Sequence, residues 1–203
     1  EVGYPVLIRP SYVLSGAAMR VSYNEKTLNN TLDLAASVSQ EYPVVMTKFF
    51  TDSREVECDG VCDGENVLIG AIVEQIENAG VHSGDATMTI PPQTISQEVI
   101  EQIEEYTEKI ALALKILGPF NVQYLVQDEE VYVIECNLRS SRSMPYVSKI
   151  RGINLMKLAA RVIMGEKIPE KLLNLPYGDF VGVKSPMFSF MRLDNADPIL
   201  GVE

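Results

Sequence analysis

Two apolar runs near the middle of the chain, Phe120–Val126 and Val131–Cys136, flank the acidic turn Gln127–Glu130. Alternating β-branched and aromatic residues on either side of a short polar turn predict an antiparallel hairpin. A period of two puts Gln123 and Leu125 on one face of its first strand, and Val133, Glu135 and Asn137 on one face of its second. Further strand patterns run over Tyr4–Arg9, Ala18–Tyr23, Val44–Phe50, Glu55–Asp59 and Val67–Ile76, with a candidate at Phe180–Lys184. The turn Cys62-Asp63-Gly64-Glu65 carries the Asp-Gly signature of a tight hairpin. Helical spacing takes over from Asn24 or Glu25 to about Gln40, where Leu28, Leu32, Ala35, Ala36 and Val38 form a stripe. A second helix is predicted over Ser96–Leu117, with Ser96 as its cap, acids in its early turns and Gly118-Pro119 as its end. Shorter helices follow at Tyr146–Ile150 and Asn154–Gly165, and Pro169–Glu203 reads as an exit segment punctuated by Pro and Gly. The expected class is α+β: mainly antiparallel sheets with flanking helices.

Composition narrows the partners. With 203 residues, 46% hydrophobic and 22% charged, the chain has the balance of a packed globular protein. A net charge of −11 without any basic tract argues against a nucleic-acid or anionic-membrane partner. Nucleotide phosphates are still admissible, because a local arginine or Mg²⁺ outweighs a diffuse negative surface within a Debye length. No apolar run approaches the ~20 residues that span a bilayer, and no secretory signal stands at the start. The three cysteines, Cys58, Cys62 and Cys136, lack metal-finger spacing, His82 is the single histidine, and a reducing, cytoplasmic compartment is the expectation. A multi-His zinc centre is thereby excluded. The chain opens on Glu-Val-Gly-Tyr-Pro and enters a strand at once, the expected look of a cut inside a larger protein.

The chemistry concentrates behind the central hairpin. Its second strand runs into Glu135, Asn137, Arg139 and Arg142, an E-x-N-x-R-x-x-R pattern. Gln123, Glu135 and Asn137 together offer side-chain oxygens suited to a hard cation such as Mg²⁺. The arginines suit the anion that such a metal would escort. A solvated polar rim is the bland alternative for any one of these residues. Near the start, Arg9 precedes a strand–loop–strand whose Ser15 and Gly16 would let backbone N–H groups approach phosphate, or simply turn a hairpin. Lys48, Phe49 and Phe50 stand where an adenine would lie against apolar side chains and strand backbone, and core packing explains the aromatics equally. Glu55, Glu57 and Asp59 share one face of a strand, usually a solvated one, while Cys58 and Cys62 read as strand residues rather than ligands. The loop Glu77–Asp85 brackets Glu77, Asn78, Val81, His82 and Ser83 between Gly80 and Gly84. Its oxygens would hold a monovalent cation, or His82 would bond a small anion.

These stretches resemble the large, synthetase component of carbamoyl phosphate synthetase, an ATP-grasp enzyme. The resemblance is carried by RPSYVLSG (Arg9–Gly16), ENAGVHSGDA (Glu77–Ala86), TISQ (Thr94–Gln97), GPFNVQ (Gly118–Gln123), VIECNLRSSRSMPYVSK (Val133–Lys149) and ARVIMGE (Ala160–Glu166). The forms RPSYVLSG, GVHSGD and PYVSK are similar to its second half, which phosphorylates carbamate, and VGVKSPMFSF…LGVE (Val181–Glu203) is similar to the cytosolic pyrimidine-pathway type of eukaryotes more than to the mitochondrial urea-cycle form, which is the alternative. The resemblance implies a partial ATP-grasp fold: 1–45 as part of the small subdomain with the nucleotide flap, 46–165 as the C-terminal subdomain with the metal and ATP site, and 166–203 leading to the next domain. It implies that Glu135 bridges two Mg²⁺ or Mn²⁺ ions, with Gln123 on one and Asn137 on the other. Arg9 would contact nucleotide phosphate, and Arg139 and Arg142 the transferring phosphoryl group and the carboxyl-type substrate. The backbone at Lys48–Phe50 would meet adenine, and Glu55 the ribose. Glu77, Asn78, Val81 and Ser83 would form or flank a potassium site, with Gly80 and His82 beside the nucleotide. The implied partners are the first ATP-grasp half, a glutaminase and a downstream regulatory domain, so the chain by itself is expected to be incompetent. A non-catalytic nucleotide-binding or assembly module, and another ATP-grasp carboxylate ligase, are the alternatives.

Overall fold

The computed structural model describes residues 2–10, 19–38, 44–81 and 85–186. The chain divides into two compact units, Glu1–Thr51 and Asp52–Glu203. In the first, β1 (Val6–Pro10) is the middle strand of a three-stranded antiparallel sheet, between β2 (Arg20–Ser22) and β3 (Val44–Lys48). Val6 and Ile8 bury one face of β1. Helix α1 (Glu25–Val38) starts where Asn24 Oδ1 accepts the Thr27 N–H at 3.0 Å and Thr27 Oγ1 accepts the Asn24 N–H at 3.3 Å. That reciprocal pair satisfies two amides a helix start leaves over. Because β3 pairs residue for residue with β1, the division falls after Thr51 rather than at 45.

The second unit is a six-stranded antiparallel sheet in the order β8-β7-β4-β5-β6-β9. Its strands are β4 (Arg54–Asp63), β5 (Val67–Gln75), β6 (Met88–Ile90), β7 (Leu117–Gln127), β8 (Glu130–Asn137) and β9 (Gly182–Lys184). Alternation sorts the side chains into two cores. Val56, Cys58, Ile72, Val122 and Tyr124 pack under α2 (Gln97–Ala113), which contributes Val99, Ile103 and Ala111. Val61, Leu68, Ala71 and Val73 face α3 (Met144–Arg151) and α4 (Leu155–Ile163). Both faces of the central strands are therefore covered, and β4 is buried from Glu55 to Asp63.

Several boundaries differ from the pattern. Helix α2 stops at Ala113: Lys115 adopts φ 52° and the Ile116 N–H reaches the Ala111 carbonyl at 3.1 Å, turning Ile116 into the core. Gly118-Pro119, expected to end the helix, lie inside β7. The exit segment also joins the unit as far as it is described. Ile168 is buried, α5 (Glu170–Leu173) follows, and β9 pairs with β6, a three-residue strand that the sequence pattern did not announce. The apolar hairpin β4–β5 supplies the anchor: Asp63 accepts N–H groups from Glu65, Asn66 and Ile168 at 3.0, 2.8 and 2.8 Å.

Candidate functional site

The site grows from the pairing of three strands. Across β7 and β8, Gln123 stands opposite Glu135 and Asn121 opposite Asn137; across β4 and β7, Glu57 stands opposite Gln123 and Asp59 opposite Asn121. Directly opposed residues of an antiparallel pair share a face, so six polar side chains gather on one side of the sheet. One expectation fails here. Val133 pairs with Tyr124 and Glu135 with Gln123, leaving Ile134 as an extra residue. The bulge sets Val133 on the opposite face from Glu135, where strict alternation would have kept them together. It also keeps the carboxylate beside Gln123.

Gln123 and Asn137 are half-buried and Glu135 is exposed. Asn137 Nδ2 donates to Glu135 Oε1 at 2.8 Å and to Asn121 Oδ1 at 3.5 Å. The nitrogen of this amide thus faces the carboxylate, and turning it over presents oxygen instead. Among the described residues, no three His, Cys, Asp or Glu side chains come together as a metal centre. A divalent ion would rest on the single carboxylate of Glu135 with amide oxygens of Gln123 and Asn137. Such a sparse oxygen set fits Mg²⁺, which keeps waters and phosphate oxygens in its shell.

Beneath these groups lies a buried acidic pair. Glu57 Oε2 and Asp59 Oδ1 accept from Asn121 Nδ2 at 3.2 and 3.1 Å. Ser143 Oγ lies 2.6 Å from Asp59 Oδ2, and Gln75 Nε2 donates to Glu57 Oε1 at 3.0 Å. Burial pushes both carboxyls above their ordinary range, and for Glu57 repulsion from Asp59 adds to it, although the amide and hydroxyl donors pull the other way. The face that Glu55, Glu57 and Asp59 share is thus covered, not solvated. Asn121, Ser141 and Ser143 were missed as site residues. The signal for the carboxylates was available, since β4 is flanked by two apolar strands and an inner strand has no free face.

A cleft of about 430 Å³ opens on this surface. Glu55, Glu57, Gly80 and Val81 line it together with Asn121, Gln123, Glu135, Arg139, Ser141 and Arg142. Gly80 donates its N–H to Glu55 Oε2 at 3.1 Å, tying the loop after β5 to β4. Both arginines are exposed, and Arg139 Nη1 donates to the Ser140 carbonyl at 3.0 Å. Glu77 commits both carboxylate oxygens to the Thr87 N–H, at 2.9 and 2.7 Å. Burial would raise that carboxyl, but the Thr87 donation and the Lys184 charge bring it below its usual range. Asn78 is exposed, and Val81 reaches the cleft. Glu77 therefore bonds Thr87 while Val81 lines the cleft. Arg9, Lys48 and Phe50 belong to the first unit: Arg9 is exposed on β1, Lys48 Nζ donates to the Tyr4 carbonyl at 2.7 Å, and Phe50 is half-buried after β3. Ser15 and Gly16 of the expected flap, and His82 and Ser83, lie outside the described residues, as does the end of the chain from 187 onward.

Solved structures share this architecture. The biotin carboxylase of Campylobacter jejuni, crystallised with a β-γ-ATP complex, matches with a TM-score of 0.72 at 22% identity, over 83% of this chain and 39% of that one. The biotin carboxylase domain of the Hydrogenobacter thermophilus 2-oxoglutarate carboxylase, in complex with MgADP, ADP and bicarbonate, matches at 0.70 and 19%, over 87% and 40%. The fold is ATP-grasp. Residues 1–171 match the family described as carbamoyl-phosphate synthase L chain, ATP binding domain, and the chain belongs to that family. Over its whole length it is 50% identical to the multifunctional protein URA2 of Saccharomyces cerevisiae. It is 54% identical to the mitochondrial carbamoyl-phosphate synthase [ammonia] of Aquarana catesbeiana, and 48% to the C-terminal section of the large chain in Methanocaldococcus jannaschii. It spans 9%, 14% and 35% of those three proteins. No helix among the described residues is long and apolar enough to cross a membrane.

Proposed function

We propose that this chain is the nucleotide- and metal-binding part of the second ATP-grasp half of a carbamoyl phosphate synthetase, whose whole protein phosphorylates carbamate with ATP. One observation carries the reading: Glu135 stands in register with Gln123, two residues from Asn137, on the same cleft as Arg139 and Arg142. Mg²⁺ or Mn²⁺ held by Gln123, Glu135 and Asn137 would neutralise phosphate charge. The chain's own task is positioning. Arg139 and Arg142 hold the phosphoryl group and the carboxyl-type substrate, while Glu55, fixed by the Gly80 N–H, faces the ribose. Phosphoryl transfer of this kind needs placement and charge neutralisation, not a covalent intermediate. Arg9 would contact phosphate, the Lys48–Phe50 backbone adenine, and Glu77, Asn78, Val81 and Ser83 would form or flank a potassium site, with His82 close to the nucleotide. The name "C-terminal section" of the Methanocaldococcus relative supports assignment to the second half. The expected partners are the first ATP-grasp half, a glutaminase and a downstream regulatory domain. The closing residues favour the cytoplasmic pyrimidine-pathway type.

The test is Mg·ATP titration by calorimetry with the whole protein, alongside carbamate-dependent release of carbamoyl phosphate. Saturable binding from which Glu135→Gln removes one site, together with product, is the expected result. Retained binding without product would instead favour a non-catalytic module; a different carboxylated product would favour another ATP-grasp ligase.

A further inference from the structure

Ser143 begins α3 yet caps nothing in it. Its backbone sits at φ −78° and ψ −21°, and its hydroxyl makes no bond to the helix's N–H groups. A serine at a helix start ordinarily turns its oxygen onto the N–H two or three residues on. Here the hydroxyl points away, 2.6 Å from Asp59 Oδ2 and 3.2 Å from Glu57 Oε2. Ser141 takes over the capping: its Oγ accepts the Met144 N–H at 3.0 Å and lies 2.9 Å from Ser143 Oγ. Met144 N–H thus gives to Ser141, the Ser141 hydroxyl stands beside both Ser143 and Asp59, and Ser143 gives to the carboxylates of β4. The other end of the same segment is tied as well. Asn121, bonded to both carboxylates, accepts from Asn137 at the end of β8. Glu57, Asp59, Asn121 and Ser143 are all buried.

Both anchors of residues 138–143 therefore lead to one buried pair on β4, and between the anchors stand Arg139 and Arg142. An exposed arginine has wide rotamer freedom, so the backbone beneath it is what can be fixed in advance. A displacement of about 1 Å in a positioning group costs on the order of 10²-fold in rate. We propose that Asp59 and Glu57 are positioning residues, which hold the turn carrying Arg139 and Arg142 over the cleft through Ser143 and Ser141. This rests on the phosphoryl-transfer reading above.

The experiment uses the whole protein with Ser143→Ala and Ser143→Thr. Ser143→Ala removes the hydroxyl hydrogen that Ser143 donates into the pair; Ser143→Thr keeps it. Expected is a fall in kcat of roughly 10- to 100-fold for Ser143→Ala, a KM for Mg·ATP within about threefold of wild type because Glu55 is untouched, and recovery of most turnover in Ser143→Thr. Amide hydrogen exchange over 138–143 should also quicken in Ser143→Ala and not in Ser143→Thr. Turnover of Ser143→Ala within twofold of wild type would overturn the proposal, as would equal losses in both variants. If the wild type itself shows no carbamate-dependent turnover, the functional reading falls, and the exchange measurement alone decides the positioning: unchanged exchange in Ser143→Ala would reject it.

Discussion

Replacing Asp63 with alanine should detach the segment after α4 from the β4–β5 hairpin. The carboxylate accepts three backbone N–H groups, from Glu65, Asn66 and Ile168, and sits 3.8 Å from Lys167 Nζ. The Glu65 and Asn66 amides lie in an exposed or half-exposed turn and can turn to water, so their loss costs roughly 0.5–1 kcal/mol each. Ile168 is buried, and its N–H, left without an acceptor, costs about 2 kcal/mol. The lysine is exposed and adds little. The sum, about 3–4 kcal/mol, is a large share of the 5–15 kcal/mol that ordinarily stabilises a domain. Urea unfolding followed by circular dichroism should show it as a midpoint lowered by about 1–2 M. The pH dependence is a second reading of the same bonds. Burial alone would raise this carboxyl, yet the three N–H donors hold it down to about 2. A folded value below the unfolded one contributes stability that is full above about pH 4 and lost as pH falls toward 2. Asp63→Asn should therefore flatten the stability profile between those limits. A variant within 0.5 kcal/mol of wild type, or an unchanged acid limb in Asp63→Asn, would show that the anchor does not bear on stability.

Gly60→Ala should destabilise by about 2–3 kcal/mol in the same assay, because the added Cβ would meet the Phe120 ring at 2.6 Å and the Leu68 carbonyl at 2.9 Å. Tyr124→Phe should cost about 1 kcal/mol in thermal unfolding, since the Thr107 hydroxyl, 2.7 Å from the phenol in the α2 core, would lose this partner and keep the Cys58 thiol. Cys58, buried and with its thiol pushed up to about 12 by burial, should resist iodoacetamide at pH 8 in the folded chain and react on unfolding, as mass spectrometry would record. The chain by itself should give no carbamate-dependent turnover in a coupled phosphate assay; full turnover would mean that the cleft needs nothing from the rest of the protein.

Periodicity made most of this fold legible because its elements obey one rule at a time. The hairpin of β7 and β8, the strands β1 and β5, and the Ser96 cap of α2 all sit where local pattern put them, the last with the Val99 N–H on Ser96 Oγ at 3.3 Å. What escaped depends on contacts distant in sequence. β6 is only three residues long and exists because Glu74 and Gln75 on one side, and β9 on the other, offer it partners. Lys115 ends α2 in a left-handed conformation that favours glycine, so the nearby Gly118-Pro119 was the more persuasive stop. Gln123, Glu135 and Asn137 were readable as residue types on adjacent strands. Their support was not, because serines before a helix look like caps until a buried carboxylate claims one of them.

The surplus residue at Ile134 has a consequence for how this hairpin tolerates change. Length at the tip, Gln127–Glu130, can vary without altering which side chains meet farther along, because the strands are held together on both sides of the irregularity. Within β8 itself, deleting the surplus residue would restore strict alternation and still leave the carboxylate opposite its glutamine neighbour, whereas a one-residue slip of β8 along β7 would rotate it to the other face. The region therefore has an insertion-tolerant end and a frame-sensitive end, four residues apart or fewer.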